Sequence, residues 1–409
     1  MTRRCAFALA LAAAAACSHR AAPSPVASGA PRWVGTWTSS QQLVEARNMP
    51  PAPGLSGRTL RQVVRTSIGG ARIRFRFSNT FGDGPLAIAS AHVARSLGAG
   101  QSAVDTATDR PLTFGGADSV LIPAGAMATS DPLDYPVAPR EDLAVTTAIA
   151  AAPAALTGHP GSRTTSYIAA GGRVTAPALP GAATTDHWYV LANLDVVAGD
   201  GARAVVTLGN SITDGRGSGT NRNDRWPDEL ATRLEADPRT ARVAVLNAGI
   251  GGNTILKGGL GPTALSRLDR DVLDQAGVRW VVVLEGVNDI GGARGADSAA
   301  MVARDLIAAL RRIAAAAHAR GLRIYASPIL PFGGSFYEGP GHEEARRTVN
   351  AFIRTGGAFD AVIDFDAALR DPAHPDRLLP DADSGDHLHP NETGYRMMAA
   401  AVDLGLFRE

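Results

Sequence analysis

The sequence predicts an α/β protein, with a doubly wound parallel sheet carried behind a β-rich N-terminal domain of the β-sandwich or jelly-roll-like kind. Three observations carry this reading. From Ala202 onward, five short Val/Ile-rich runs recur with helix-period stretches between them. From Trp33 to about Val197, apolar runs are separated by Gly/Pro/Asp-rich connections, and no long helix-period stretch occurs. Within that first region, Ala71-Arg72-Ile73-Arg74-Phe75-Arg76-Phe77-Ser78 alternates arginine with apolar residues, the period of a half-buried strand.

Residues 1–17 have the grammar of a secretory signal peptide. Arg3 and Arg4 form a positive start, an Ala/Leu-rich stretch follows, and the small residues Ala14, Ala15 and Ala16 suit a signal peptidase. The run ends at Cys17-Ser18, which resembles a bacterial lipoprotein box with Ala14 where such boxes carry leucine. A lipid anchor at Cys17 and plain secretion both fit. Residues 18–31 read as a Pro/Ala/Ser linker without periodicity. The expected location is therefore secreted or periplasmic, at a bacterial cell envelope.

The rest divides at about residue 200, into a β-rich accessory domain over 32–200 and a catalytic domain over 201–409. In the first, strands are expected at Ala71–Ser78, Leu86–Val93, Asp142–Ala148 and His187–Val197, with Ile73, Phe75 and Phe77 facing a core. In the second, strands are expected at Ala204–Leu208, Arg242–Leu246, Trp280–Leu284, Arg323–Ser327 and Ala361–Phe365. Such continuous apolar runs are typical of parallel strands buried on both faces. Helices are expected at Pro227–Ala236, Pro262–Gln275, Ala296–Ala319 and Glu343–Thr355, with a last one after Pro390 capped by Asn391.

Composition removes whole classes of function. The 409 residues hold 40 Lys+Arg against 39 Asp+Glu, a balance that makes no electrostatic case for nucleic acid. The only cysteines, Cys5 and Cys17, sit in the leader, so cysteine chemistry and cysteine-ligated zinc are excluded. No interior run of about 18 apolar residues offers a membrane span. Lys257, the only lysine, is followed by Gly258 and not by Ser or Thr, so a phosphate-binding loop of the Walker type is excluded as well.

Polar clusters fall just after three successive expected strands, where a doubly wound sheet places its ligands. Leu208-Gly209-Asn210-Ser211-Ile212-Thr213-Asp214-Gly215 can present a serine hydroxyl from a tight strand-to-helix turn; a plain turn is the alternative. Asn247-Ala248-Gly249-Ile250-Gly251-Gly252-Asn253 lets a backbone amide approach a substrate closely. Gly286-Val287-Asn288-Asp289 offers an asparagine N–H to a developing oxyanion. A fourth cluster, Asp386-His387-Leu388-His389-Pro390-Asn391, supplies what a serine nucleophile needs: a histidine base, with a carboxylate three residues away to fix its tautomer. The His387-x-His389 pair also admits a metal reading, without a second cluster of ligands to complete it. The remaining histidines, among them His159, are expected to be structural or on the surface.

Taken together, Gly209-Asn210-Ser211-Ile212-Thr213, Gly252, Gly286-x-Asn288-Asp289 and Asp386-x-x-His389 resemble the four blocks of the SGNH, or GDSL-type, esterases and acylhydrolases, over about residues 202–400. Trp33-Val34-Gly35-Thr36-Trp37 and Leu60-Arg61-Gln62 are similar to the front of secreted two-domain members. The resemblance implies a flavodoxin-like three-layer α/β/α fold and ester hydrolysis with no metal or other cofactor. It implies Ser211 as nucleophile, His389 as base and Asp386 as orienting acid. The Ser211 N–H, the Gly252 N–H and the Asn288 side-chain amide form the implied oxyanion hole. Asn210 departs from the family, which carries aspartate there; asparagine keeps the size and loses the charge.

The expected substrate is a small-molecule or polysaccharide ester, with short acyl groups, acetyl above all, favoured by the lack of a long apolar lid. A lipid or thioester acylhydrolase is the alternative, and a carbohydrate-binding protein on an inactive hydrolase scaffold is a second. Trp33 and Trp37 are expected to pack rather than to stack on sugar, and Arg72, Arg74 and Arg76 to form a solvated strand face.

Overall fold

The parallel sheet, seen in a computed structural model that describes residues 32–408, has five strands in the spatial order Val243–Gly249, Arg203–Gly209, Val278–Leu284, Arg323–Ala326, Ala361–Val362. In chain order that is 2-1-3-4-5, the flavodoxin-like arrangement, whose switch point lies between the first and third strands. The signal peptide, Cys17 and linker expected over residues 1–31 lie outside the described residues.

Alternation along each strand builds three layers. Ala204, Val206, Leu208, Leu246, Val281 and Val283 face one core, shared with Leu306, Leu310 and Ile313 of the Ala296–Ala319 helix and Val349 and Ile353 of the His342–Thr355 helix. Val205, Val245, Trp280, Val282 and Leu284 face the other, against Trp226, Leu230 and Leu234 of the Trp226–Ala236 helix and Met398 of the Glu392–Ala401 helix. As expected, Asn391 caps that last helix, its side chain accepting from Gly394 N at 3.0 Å.

Two of the expected elements differ. Pro262–Gln275 is not an α-helix: only Asp269–Leu273 forms a single wide turn, closed by Asp274 N donating to Asp269 O at 2.9 Å. The segment is instead fixed by Arg267, whose buried guanidinium donates to Ala248 O at 2.7 Å and Gly209 O at 3.0 Å. The fifth strand stops at Val362, because Asp364 caps a short helix at Phe365–Leu369 by accepting from Ala367 N.

The N-terminal region is the sandwich that its alternation predicts. One antiparallel sheet runs Trp33–Thr38, Leu191–Val197, Gly70–Ser78 and Met127–Thr129. The facing sheet centres on Arg58–Arg65, Asp142–Ala151 and Leu86–Ser96. Ile73, Phe75 and Phe77 are fully buried, while Arg74 pairs with Asp195 at 2.9 Å and lies over the Trp33 ring. Trp37 is buried edge-on against Trp188, so it packs rather than presenting an open face.

Sandwich and parallel sheet meet along Trp33–Thr38 and the outer strand Val243–Gly249. Gly35 N donates to Ala276 O at 2.8 Å, and Val245 N donates to Ser67 Oγ at 3.0 Å. A Cβ on Gly35 would come within 2.8 Å of Leu246 Cδ1, so a larger residue there would force that buried leucine to shift. Val34 and Leu246 thereby join one continuous core.

Candidate active site

The four polar clusters converge at the carboxyl ends of the first three parallel strands and the loop before the last helix. Asn210 leaves the Arg203–Gly209 strand extended and caps the short helix Ser211–Asp214, its Oδ1 accepting from Ile212 N at 3.0 Å. Gly215, in the left-handed region at φ 100°, ends that helix at once and returns its N–H to Ser211 O. Ser211 is thus held on a single turn.

His389 meets the serine there. Its Nε2 lies 2.8 Å from Ser211 Oγ, and its Nδ1 lies 2.7 Å from Asp386 Oδ2. Asp386 Oδ1 accepts from the backbone N–H of His389 at 2.9 Å and of Leu388 at 3.1 Å, so the carboxylate is fixed by its own loop. Burial works against the Asp386 charge, but the hydrogen bonds from His389 and Leu388 outweigh it and hold the carboxyl below its ordinary range. For His389, burial is the largest influence, followed by the opposing Asp386; Arg216 and Arg163 add to the depression, and the imidazole ends below the usual histidine value. His387 turns the other way, its Nδ1 2.6 Å from Asp383 Oδ2, so the two histidines of the H-x-H pair serve different carboxylates.

Gly252 and Asn288 line the same cavity as Ser211, Asp386 and His389, a space of about 450 Å³. Gly252 has φ +69°, and a Cβ there would press on Leu260 at 3.1 Å. Asn288 donates from Nδ2 to Asn253 O at 2.6 Å and accepts at Oδ1 from the Tyr337 hydroxyl at 2.9 Å. One of its two amide hydrogens therefore remains for a ligand. Asp289 accepts from Ile255 N and Leu256 N, tying the glycine-bearing loop to the Asn288 turn, and burial pushes its carboxyl up to about 6.

Several residues of this site carry no motif. Beneath Ser211, Asn210 Nδ2 donates to Glu285 Oε2 at 3.3 Å. An aspartate at 210 would lose this amide donor and place a second acidic group beside the buried Glu285 carboxyl. Burial pushes the Glu285 carboxyl up to about 8, with Arg267 opposing it only in part. Asp214, three residues after Ser211, bonds His159 of the sandwich at 2.8 Å; the other His159 nitrogen is 2.8 Å from Ser40 O. Sequence alone left His159 among the structural histidines, because no local pattern links residues so distant in the chain. Tyr337 was missed for the same reason.

Both halves build the cavity wall. Gln42, Glu45, Arg47, Asn48, Gly161 and Arg163 come from the sandwich region, facing Arg216, Tyr337 and the Ser211 line. Past Gly252, Asn288 and Tyr337 the cavity is adjoined by a wider groove of about 1050 Å³, lined in part by Leu256, Leu265, Met301 and Val302. No helix among the described residues is long and apolar enough to cross a membrane.

Comparison with known proteins bears on residues 207–397, which match the model of the GDSL-like Lipase/Acylhydrolase family. Among solved structures, a GDSL-like lipase from Bacteroides thetaiotaomicron VPI-5482 is 21% identical, with 49% of this chain and 85% of that chain covered and a TM-score of 0.34. An acetylxylan esterase from Geobacillus stearothermophilus is also 21% identical, with 50% of this chain and 93% of that chain covered and a TM-score of 0.37. No curated protein matches the chain. The family match runs through all four polar clusters, so this stretch of the chain is similar to the GDSL-like Lipase/Acylhydrolase family.

Proposed function

We propose that the protein is an exported serine esterase that hydrolyses short-chain esters, acetyl esters of carbohydrates foremost, through an acyl-enzyme. The observation that carries this is the hydrogen-bonded line Ser211–His389–Asp386 in a cavity also lined by Gly252 and Asn288. His389 Nε2 takes the Ser211 proton as Oγ attacks the ester carbonyl, while Asp386 keeps Nδ1 protonated and steadies the imidazolium. The oxyanion is held by the N–H groups of Ser211 and Gly252 and the Asn288 amide; losing one such donor costs about 10²–10³ in kcat. His389 then protonates the leaving alcohol, and water repeats the sequence on the acyl-enzyme.

A second reading, a long-chain lipid or thioester acylhydrolase, is favoured by the adjoining groove, whose apolar side chains would seat an acyl chain. Hydrolysis of p-nitrophenyl acetate, butyrate and octanoate by the wild type and Ser211→Ala separates the two. Rates that fall with chain length and vanish in the variant support the short-chain esterase, and rates that rise favour the acylhydrolase. Equal rates in both proteins, or none in either, would leave a binding role on a hydrolase scaffold.

The domain division at about residue 200 and the export of the chain are part of the same proposal. Cleavage at about Cys17, with or without a lipid on that residue, is tested by the mass of the mature N-terminus.

A further inference from the structure

The cavity above Ser211 carries three arginines from three separate segments. Arg47 comes from the turn after the first sandwich strands, Arg163 from the loop before Ser166–Ala170, and Arg216 from the turn after the Ser211 helix. Among the described residues, none of the three has a carboxylate within ion-pair distance. Elsewhere this chain pairs its arginines freely: Arg65 with Asp142, Arg74 with Asp195, Arg346 with both Glu343 and Asp366. The carboxylates lining the cavity have other partners: Glu45 accepts from Gln42 and Asn48, Asp214 is bonded to His159 through Oδ1 while also opposing the burial of the Arg163 charge, and Asp386 is bonded to His389.

Arg163 is placed with some effort. Its backbone is left-handed at φ +47°, a conformation that costs a non-glycine residue energy and persists only where its surroundings impose it. Asn221 N holds Arg163 O at 2.9 Å, and the guanidinium donates to Gly161 O at 2.7 Å, a neutral acceptor. Burial lowers its pKa, with the Asp214 charge opposing. Arg163 and Arg216 both lie near enough to His389 to disfavour its protonation. A partly dehydrated cationic wall beside the reacting atoms is matched by a negative group on the ligand.

Resting on the serine-esterase reading, we propose that the cleft selects esters bearing a carboxylate close to the scissile bond, and that Arg47, Arg163 and Arg216 recognise it. Guanidinium groups suit a carboxylate through paired N–H donors. The charge can sit on the alcohol, as in an acylated acidic sugar, or on the acid, as in a half-ester of a dicarboxylic acid.

Two substrate pairs test this and separate the sources: O-acetylglucuronate against O-acetylglucose, and p-nitrophenyl hemisuccinate against p-nitrophenyl butyrate. The wild type should favour the charged member of at least one pair by more than about tenfold in kcat/KM, with the preference falling as salt rises. Arg216→Gln, at an exposed position, and Arg163→Gln should each cut that ratio severalfold, while Arg76→Gln on the sandwich leaves it in place. A ratio near one in both pairs, or a ratio that both cavity variants keep, overturns the proposal. Calorimetry on Ser211→Ala with glucuronate against glucose, and with p-nitrophenyl hemisuccinate against p-nitrophenyl butyrate, reads the same preference without turnover, and equal affinities in both pairs also overturn it. Hydrolysis that survives in Ser211→Ala is a separate failure: it sinks the nucleophile assignment and leaves the binding ratio to judge the arginines.

Discussion

His159 Nε2 lies 2.8 Å from Asp214 Oδ1, so a histidine of the sandwich and an aspartate of the Ser211 turn form one buried pair across the two halves. Burial opposes the Asp214 charge, but His159, then Arg163 and Arg225, hold its carboxyl below the ordinary range. Arg225 reinforces the joint by donating to Ser162 O. The sandwich is in this way part of the support of the serine.

Removing His159 leaves the buried Asp214 carboxylate without its hydrogen bond, which typically costs about 1–3 kcal/mol. His159→Ala is therefore expected to lower the urea midpoint markedly and to depress kcat, since the turn that carries Ser211 loses its anchor. Urea unfolding beside initial rates checks both. A variant as stable and active as the wild type would detach the sandwich from the site.

Tyr337 acts on the proposed oxyanion hole at one remove. Its hydroxyl donates to Asn288 Oδ1 at 2.9 Å and fixes which way the amide points. Tyr337→Phe keeps the ring and removes the bond, so kcat should fall about tenfold with KM little changed, as expected for a group acting through transition-state binding. A change in KM alone would mean that Tyr337 contacts substrate instead.

Glu285 gives the protein a pH-dependent stability. Its carboxyl is pushed up to about 8 by burial in the fold, and returns to about 4.3 on unfolding. Below the lower value both states hold the proton. Between the two the unfolded chain releases it and the folded one does not, so stability falls as pH rises, by up to about 1.4 kcal/mol per pH unit from this group. Glu285→Gln should flatten that slope between pH 5 and 8. Urea midpoints at pH 5, 6.5 and 8 that drop equally in both proteins would assign the slope elsewhere.

What the sequence could reveal was periodic or local. Val205, Trp280 and Val282 stand in unbroken apolar runs, so their strands and the three layers were readable. Ser211 and the Asp386–His389 loop stand in short patterns that imply their own geometry. His159, Arg267 and Tyr337 are single residues whose partners lie 55, 58 and 49 positions away in the chain. No spacing announces them, because only the folded arrangement brings them under the site. The same limit explains the failed helix at Pro262–Gln275. Its residues have helical propensity, but Arg267 spends its donors on the ends of two parallel strands, and that tertiary demand prevails.

The acid side of the pH profile follows from His389. As the proposed base it must be neutral, so kcat/KM is expected to be lost as pH falls through its pKa. Burial chiefly, with Arg216 and Arg163, sets that pKa below the ordinary 6.5, and Asp386 recovers only part of the difference. The limb therefore lies on the acid side of an ordinary histidine's. Arg216→Gln removes a neighbouring positive charge, which makes protonation easier and moves the limb toward higher pH. Asp386→Asn removes the group that favours the imidazolium: the limb moves lower, and the plateau falls by about 10³–10⁴ as the tautomer is lost. Profiles from pH 4 to 8 on p-nitrophenyl acetate read both shifts in a neutral substrate. If the two variants move the limb in the same direction, the charges around His389 do not govern it, and its assignment as the base fails with them.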